Sequence, residues 1–265
     1  MSKKIILLPA FNEEASAGIL LGKIRDLARE EGWDYLVLAC DDGSTDRTAE
    51  ILAAEQGSMN LEILTHRMNR GLGETIRDLF ERAADIAADD DVVIRLDCDD
   101  SHEPHHISAM VHKLEQGYDV VIASRFEPGG GQMGVSAYRA FISRCANMFL
   151  GIVFGFRSVK EYSCAYRAYR GEIVKRAIRS YGNGFVQLKG LGFTCTIEKL
   201  IKLHILGARF GEVPFVLRYD QKQSSSKMVT SATTLGYLVL AILYHWPWGG
   251  WRGYYRHLRP AAKKP

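Results

Sequence analysis

The residues best suited to chemistry lie in one short acidic run, Leu96-Asp97-Cys98-Asp99-Asp100-Ser101-His102. Asp97 and Asp99 stand at i and i+2 where an apolar stretch ends. Two carboxylates leaving a strand can converge on a divalent cation when the chain bends, and hard oxygen ligands suit Mg2+ or Mn2+. An ion held there can bridge a diphosphate and stabilise it as a leaving group. Asp-x-Asp is a common pattern, and a solvated acidic loop is its plain alternative. A second acidic run, Asp41-Asp42-Gly43-Ser44-Thr45-Asp46, follows another apolar stretch. Gly43 and Ser44 allow a tight turn into a helix. Two adjacent acids at the edge of an apolar strand fit a nucleotide site better than a turn alone. A third strand end reads Pro9-Ala10-Phe11-Asn12-Glu13-Glu14, where Asn12 can simply cap the following helix. His102, His105 and His106 suggest a metal cluster but read better as surface loop histidines.

These runs need a scaffold that brings strand ends together. Apolar segments of strand length cover residues 4–8, 35–39, 61–64, 92–96 and 120–123, and segments of helical period cover 14–30, 45–55, 73–88 and 105–116. Strands apolar on both faces, alternating with helices, predict an α/β fold with a mostly parallel sheet covered on both sides. Ligands bind such sheets at the carboxyl ends of the strands, where the acidic runs fall. The second half is less regular. Residues 136–156 carry a helical stripe at Phe141, Cys145, Met148, Phe149 and Ile152, with Arg139, Ser143 and Asn147 along another face. A helix at 196–206 and a strand at 212–217 follow.

The chain of 265 residues allows one large domain or two small ones, and 47% hydrophobic against 25% charged residues excludes wholesale disorder. Five scattered Cys without C-x-x-C argue against a disulfide framework or zinc ribbon and fit a reducing compartment. Residues 5–10 are too short an apolar run for a secretory leader and read as a buried first strand. Net charge is +3, yet residues 221–265 hold 7 basic and no acidic residues. Residues 229–251 carry no Asp, Glu, Lys or Arg, and 235–244 are apolar around the whole helix, which implies burial or lipid. That core is shorter than the roughly 20 residues of a membrane span. Beyond it Trp246, Trp248, Trp251, Tyr254 and Tyr255 alternate with Arg252, Arg256 and Arg259. Aromatics favour the headgroup level and arginines favour anionic lipid. The expectation is a monotopic contact with the cytoplasmic face of a membrane, made by residues 229–265. The alternative is a helix packed on the body with a free basic end. Nucleic acid is not expected as a partner, because the basic residues cluster in the tail rather than along the sheet.

In combination these motifs are specific. Pro9-Ala10-Phe11-Asn12-Glu13, the 41–46 run, Asn69-Arg70-Gly71-Leu72-Gly73 and Asp97-Cys98-Asp99 with Ser101-His102, in that order, resemble glycosyltransferase family 2 with its GT-A nucleotide-sugar fold. Ala123-Ser124-Arg125-Phe126, Ser143-Arg144 with Ala146-Asn147, Tyr166-Arg167-Ala168-Tyr169-Arg170, Glu212-Val213-Pro214, Arg218 and Ser226-Lys227-Met228 resemble segments of its dolichyl- and polyprenyl-phosphate sugar transferases. The resemblance covers about residues 4–228, taken as the catalytic domain. It implies inverting transfer of a hexose from a nucleotide-sugar, of GDP-mannose or UDP-glucose type, to a polyprenyl phosphate. Pro9, Phe11, Asn12, Glu13, Asp41, Asp42, Gly71, Asp97, Cys98 and Asp99 are implied at the nucleotide-sugar. Asp97 and Asp99 are implied as ligands of Mg2+ or Mn2+. The implied catalytic set is Asp99, Arg125, Arg139, Ser143 and Lys227, with Arg125, Arg139, Ser143 and Arg218 around the acceptor phosphate. The sequence departs from that pattern at Glu161-Tyr162-Ser163-Cys164-Ala165, which has a longer acid and no Gly, and at Ser225, where Gly is usual. The alternative acceptor is a sugar hydroxyl of a glycan or glycolipid. It would need a general base, with Glu198 or Asp100 as candidates.

Overall fold

The computed structural model of the chain describes residues 2–156, 158–224 and 230–258. Strands β1 (Lys4–Ala10), β2 (Tyr35–Asp41) and β3 (Leu61–Thr65) alternate with helices α1 (Ala17–Glu30), α2 (Thr48–Glu55) and α3 (Leu72–Ile86). Then come β4 (Val92–Arg95), α4 (His106–Glu115) and β5 (Val120–Ser124). Every apolar run read above as a strand in this half is one, because side chains on both faces are needed to bury the helices that cover the sheet. β1 has all seven residues buried.

The second half adds β6 (Gly131–Met133), α5 (Ala137–Phe154), β7 (Arg167–Arg170), α6 (Gly171–Tyr181), α7 (Thr194–Ile205), β8 (Phe210–Pro214), β9 (Val216–Arg218), α8 (Thr230–His245) and α9 (Gly250–Tyr254). The single strand expected at 212–217 is two. β8 joins the main sheet, and β9 leaves it to pair with β6.

The main sheet runs in the order β3-β2-β1-β4-β7-β5-β8. Only β7 is antiparallel to its neighbours, β4 and β5. The chain passes from β1 outward through β2 to β3, then returns to place β4 on the other side of β1. That reversal opens a crevice at the carboxyl ends of β1 and β4, the place where open α/β sheets bind ligands. The loops there are Phe11-Asn12-Glu13 and Leu96-Asp97-Cys98-Asp99.

α8 is neither wholly buried nor wholly exposed. Leu240 and Tyr244 enter the main core, with the Tyr244 ring edge-on to Phe154 of α5 at 5.1 Å. His245 Nε2 lies 2.8 Å from the Val153 carbonyl oxygen. The outward residues Leu235, Leu238 and Ile242 are exposed, beside exposed Phe141, Met148 and Ile152 on α5. Among the described residues no helix is long and apolar enough to cross a membrane.

Candidate active site

The two β4-end acids are held by different means. Asp97 follows β4, whose last residue, Arg95, is a buried arginine in an apolar strand. Arg95 Nη2 lies 2.6 Å from Asp97 Oδ1. This is an ion pair by distance but not a hydrogen bond by direction, since the three guanidinium nitrogens make no hydrogen bond among the described residues. The backbone N–H of Asp97 donates to His102 Nδ1 at 3.0 Å. His102 is 4% exposed, stacked on Tyr166 and edge-on to Phe215. The surface reading of this histidine is therefore corrected. Burial pushes its pKa down, and an acceptor Nδ1 fixes the neutral tautomer.

Asp99 is buried. Its Oδ1 accepts from the Ser101 N–H at 3.1 Å and the Ser101 hydroxyl at 2.5 Å, and its Oδ2 is paired with the Lys222 ammonium. Burial would raise its pKa. The Lys222 ammonium and the Ser101 hydroxyl outweigh that and bring it down to about 2. Cys98 is buried between the acids, and its carbonyl accepts from the Ser16 hydroxyl at 3.0 Å, tying the β4 end to the β1 end. Asp100, at φ +60°, binds Lys23 through both oxygens at 2.8 and 2.9 Å.

The β1 and β2 ends interlock. Pro9 is buried within β1, and Phe11 follows it half-buried. Asn12 does not cap α1, whose N-cap position is Ser16. At φ +51° it turns toward the β2 loop, where its Oδ1 accepts the Thr45 N–H at 2.8 Å. The Glu13 N–H donates to Thr48 Oγ1 at 2.8 Å, and its carboxylate accepts from Ser16 at 3.1 Å. Asp41 Oδ1 accepts the Ser44 N–H at 3.0 Å. Asp42 accepts the N–H groups of Arg70 at 2.9 Å and Gly71 at 2.8 Å, and its Oδ1 lies 2.6 Å from His66 Nδ1. The two adjacent acids thus each hold a turn. Gly43 is required here, because a Cβ would meet the Met68 carbonyl carbon at 2.5 Å. Gly71, at φ +88°, starts α3.

On the other side of the crevice Arg125 follows β5. Its Nε and Nη2 donate to the two oxygens of Glu161 at 2.7 and 3.0 Å. Glu161 is completely buried and also accepts from the Ser163 N–H, the Ser163 hydroxyl and the Cys164 N–H. The acid that departs from the family pattern is therefore the anchor of Arg125. Ser163 links onward to Asn147 Nδ2 at 3.1 Å, and Asn147 Nδ2 also donates to the Ser143 carbonyl at 3.0 Å. Arg125 and Ser143 are thus connected through two residues. Arg139 is exposed one turn before Ser143, and its Nη1 donates to the Tyr219 hydroxyl at 3.1 Å. The Arg218 side chain is paired with Asp220 at 2.8 Å, and its backbone N–H donates to the Ser101 carbonyl at 3.1 Å. Residues 216–222 therefore run from the Asp99 loop toward α5. Lys227 lies outside the described residues.

Neither candidate base is placed for that work. Glu198 is completely buried, accepts the Gln187 and Leu188 N–H groups at 2.8 and 3.0 Å, and pairs with Lys202. Asp100 is committed to Lys23. Arg170 is turned onto the backbone, its Nε and Nη2 donating to the Tyr118 and Leu114 carbonyls. Arg144 lines a cleft of about 260 Å3 with Phe126, Asn147 and Lys160. A larger cavity of about 440 Å3, lined by Lys4, Trp33 and Asp34, lies at the amino ends of β1 and β2, away from the strand-end acids.

Three residues of the site escape the sequence reading. Lys222 meets an acid 123 positions away, and nothing local marks such a pair. His66 likewise meets Asp42 only through the fold. Arg95 carries a visible signal, a base inside an apolar strand with an acid two positions on.

The profile of the family described as Glycosyl transferase family 2 matches residues 5–177. An undecaprenyl-phosphate 4-deoxy-4-formamido-L-arabinose transferase of Pectobacterium atrosepticum is 32% identical over 77% of this chain. The chain spans 59% of that relative's length. An undecaprenyl-phosphate mannosyltransferase of Micrococcus luteus is 29% identical over 84% of this chain and 86% of its own. Among solved structures, glucosyl-3-phosphoglycerate synthase of Mycobacterium tuberculosis, in complex with Mn2+, UDP and glucosyl-3-phosphoglycerate, superposes with a TM-score of 0.62. The superposition covers 98% of this chain and 82% of that one, at 17% identity. The same synthase with Mg2+ and UDP gives a TM-score of 0.62 at 18% identity, over 98% and 81% of the two chains. At that identity the likeness is one of fold, the GT-A-like α/β arrangement with a mostly parallel sheet. With the profile covering well over half of its length, the chain belongs to glycosyl transferase family 2.

Proposed function

We propose that this protein transfers a hexose, with inversion, from a nucleotide-sugar of GDP-mannose or UDP-glucose type to a polyprenyl or dolichyl phosphate, with Mg2+ or Mn2+. One observation carries the reading. The switch-point crevice is acidic at Asp97, Asp99 and Glu13, and the segment 216–222 leads from it to the arginines of α5. A site for a leaving diphosphate thus adjoins a cationic face suited to a second phosphate. The undecaprenyl-phosphate relatives support the acceptor class, and the UDP complexes of the synthase support the donor class.

An acceptor phosphate oxygen attacks the anomeric carbon, the bond from that carbon to the diphosphate oxygen breaks, and the nucleoside diphosphate leaves. A phosphate monoester, with a second pKa of about 6, is already mostly ionised near neutrality, so no strong base is needed. The engagement of Glu198 and Asp100 elsewhere favours this acceptor over a sugar hydroxyl. Asp97 and Asp99 would hold the metal. Among the described residues no third His, Cys, Asp or Glu joins them to form a cage. This suits an ion that takes one or two carboxylates and completes its shell with phosphate and water. When bound, such an ion offsets charge on the departing diphosphate. Arg139 and Ser143 orient the acceptor phosphate, and Arg125, fixed by Glu161 and donating from Nη1 to Gln132 Oε1 at 3.3 Å, adds its positive charge behind them. Lys227 joins this set on the strength of the family resemblance.

In this reading residues 1–228 carry the chemistry and 229–265 reach the cytoplasmic face of a membrane. The outward faces of α5 and α8 add apolar surface to that contact, beside Trp246 and Trp248, which are 69% and 96% exposed. Two experiments test the reading. Radiolabelled nucleotide-sugars are incubated with polyprenyl phosphate and Mn2+. Label should enter the organic phase, and label only in water-soluble glycans overturns the acceptor assignment. Leu238→Asp with Ile242→Asp should weaken sedimentation with anionic liposomes about tenfold, from lost apolar contact. Unchanged sedimentation overturns the membrane face. Surface substitutions are chosen over removal of 229–265, because removal would also strip Leu240 and Tyr244 from the core.

A further inference from the structure

Asp97 and Asp99 each have a basic partner, and the two partners differ in what holds them. Arg95 is part of β4, which is paired with β1 on one side and β7 on the other. It is 1% exposed and cannot withdraw from Asp97 without opening the sheet. Lys222 stands beyond the turn that follows β9, outside regular structure. Only its flexible side chain carries the ammonium to Asp99. That side chain is nonetheless just 10% exposed, and Glu13 and Asp97 act on the ammonium electrostatically as well as Asp99. With Ser101 on Oδ1 and Lys222 on Oδ2, both oxygens of Asp99 are taken. An ammonium in the field of three carboxylates occupies the place of a cation.

We propose that Lys222 is the resident counter-ion of this seat: it neutralises Asp99 while no divalent cation is bound, and yields Asp99 Oδ2 when one arrives. The proposal rests on the reading of Asp97 and Asp99 as metal ligands. A buried carboxylate left without a partner is costly, so a counter-ion is needed between turnovers. Arg95 cannot play the exchangeable part, because its strand fixes it. Lys222 can, because it leaves by side-chain rotation and a shift of the 219–222 turn. Lys222 is then a positioning residue. Its departure opens Asp99 to the ion and sets an ammonium free near the diphosphate. The same turn carries Tyr219, the partner of Arg139, so loading of the donor side bears directly on the acceptor side.

The test is a titration of the full chain with Mn2+ alone, following free Mn2+ by electron paramagnetic resonance. Lys222→Met should bind Mn2+ about tenfold more tightly than wild type, the size expected for removing a charged competitor from one carboxylate oxygen. Lys222→Arg should stay near wild type. In wild type, Mn2+ should also speed amide hydrogen exchange at residues 219–222, and this measurement decides alone if Lys222→Met does not fold. Equal or weaker Mn2+ binding by Lys222→Met, or exchange at 219–222 indifferent to Mn2+, overturns the proposal while leaving the metal reading standing. No Mn2+ bound by either protein overturns both.

Discussion

Around the end of β2, side-chain oxygens hold backbone N–H groups. Asp41 holds Ser44, Asp42 holds Arg70 and Gly71, and Asn12 holds Thr45 from the neighbouring loop. Along α5 the opposite prevails, with Arg139 exposed and Tyr138, Phe141, Met148 and Ile152 facing outward without apolar cover. Under the proposed function, a donor pocket built from these backbone-fixed turns is ready in the isolated chain, because its polar groups are satisfied by one another. A face of arginines and uncovered apolar side chains would be complete against a partner, and under the proposed function a lipid carrying a phosphate would supply both the apolar and the anionic complement.

The largest effect is expected at Arg125–Glu161, the buried bidentate pair of the proposed acceptor side. Glu161→Gln should cost about 3–5 kcal/mol in denaturant unfolding, the usual loss when one partner of a buried pair is removed. Burial alone would raise the Glu161 pKa, but Arg125 and the N–H and O–H donors of Ser163 and Cys164 hold it below its ordinary value near 4.5. A carboxylate depressed in the folded state contributes stability that is full above the ordinary value and is lost as pH falls through the folded one. The gap between wild type and Glu161→Gln should therefore be widest above about pH 4.5 and close on acidification. A gap that stays flat with pH would falsify the ion-pair account.

Next comes Asp99→Asn, which should reduce turnover by on the order of 10²–10³, with circular dichroism native-like and the melting transition lowered by loss of the Lys222 pair. Full activity in metal-free buffer would remove the donor side from the chemistry. The smallest effect is expected from Arg139→Ala. It should raise the polyprenyl phosphate needed for half-saturation by roughly tenfold, as for one lost charge-assisted hydrogen bond, with nucleotide affinity and stability unchanged. A collapse of nucleotide affinity instead would mean that the two sides are not separable.

Much of the donor side is legible in the sequence because its signals are local. Apolar runs, broken by Glu62 in β3 and Arg95 at the end of β4, mark β1 to β5, and acidic runs follow β1, β2 and β4. The acceptor side depends on contacts between distant segments. Apolar patterning alone passes over β7, which only the family resemblance of residues 166–170 marks, because Arg167 and Arg170 look like surface residues, whereas Arg167 is buried and donates to the Thr196 and Tyr162 carbonyls. It also passes over α6, although Ile173, Val174, Ala177, Ile178 and Tyr181 repeat at helical spacing. Glu161 reads as a departure from a pattern until its partner, 36 positions earlier, is seen.

β7 has one more consequence, for the order in which the molecule is made. It lies between β4 and β5, so those two strands never bond to each other and both keep an open edge until residues 167–170 arrive. During synthesis the first five strands emerge as two incomplete pieces, β3-β2-β1-β4 and a lone β5. Only a late, antiparallel strand joins them, a non-local closure of the kind that slows folding and leaves strand edges open to wrong pairing. A fragment ending before residue 167 should therefore aggregate rather than fold, even though it contains every acid of the donor pocket.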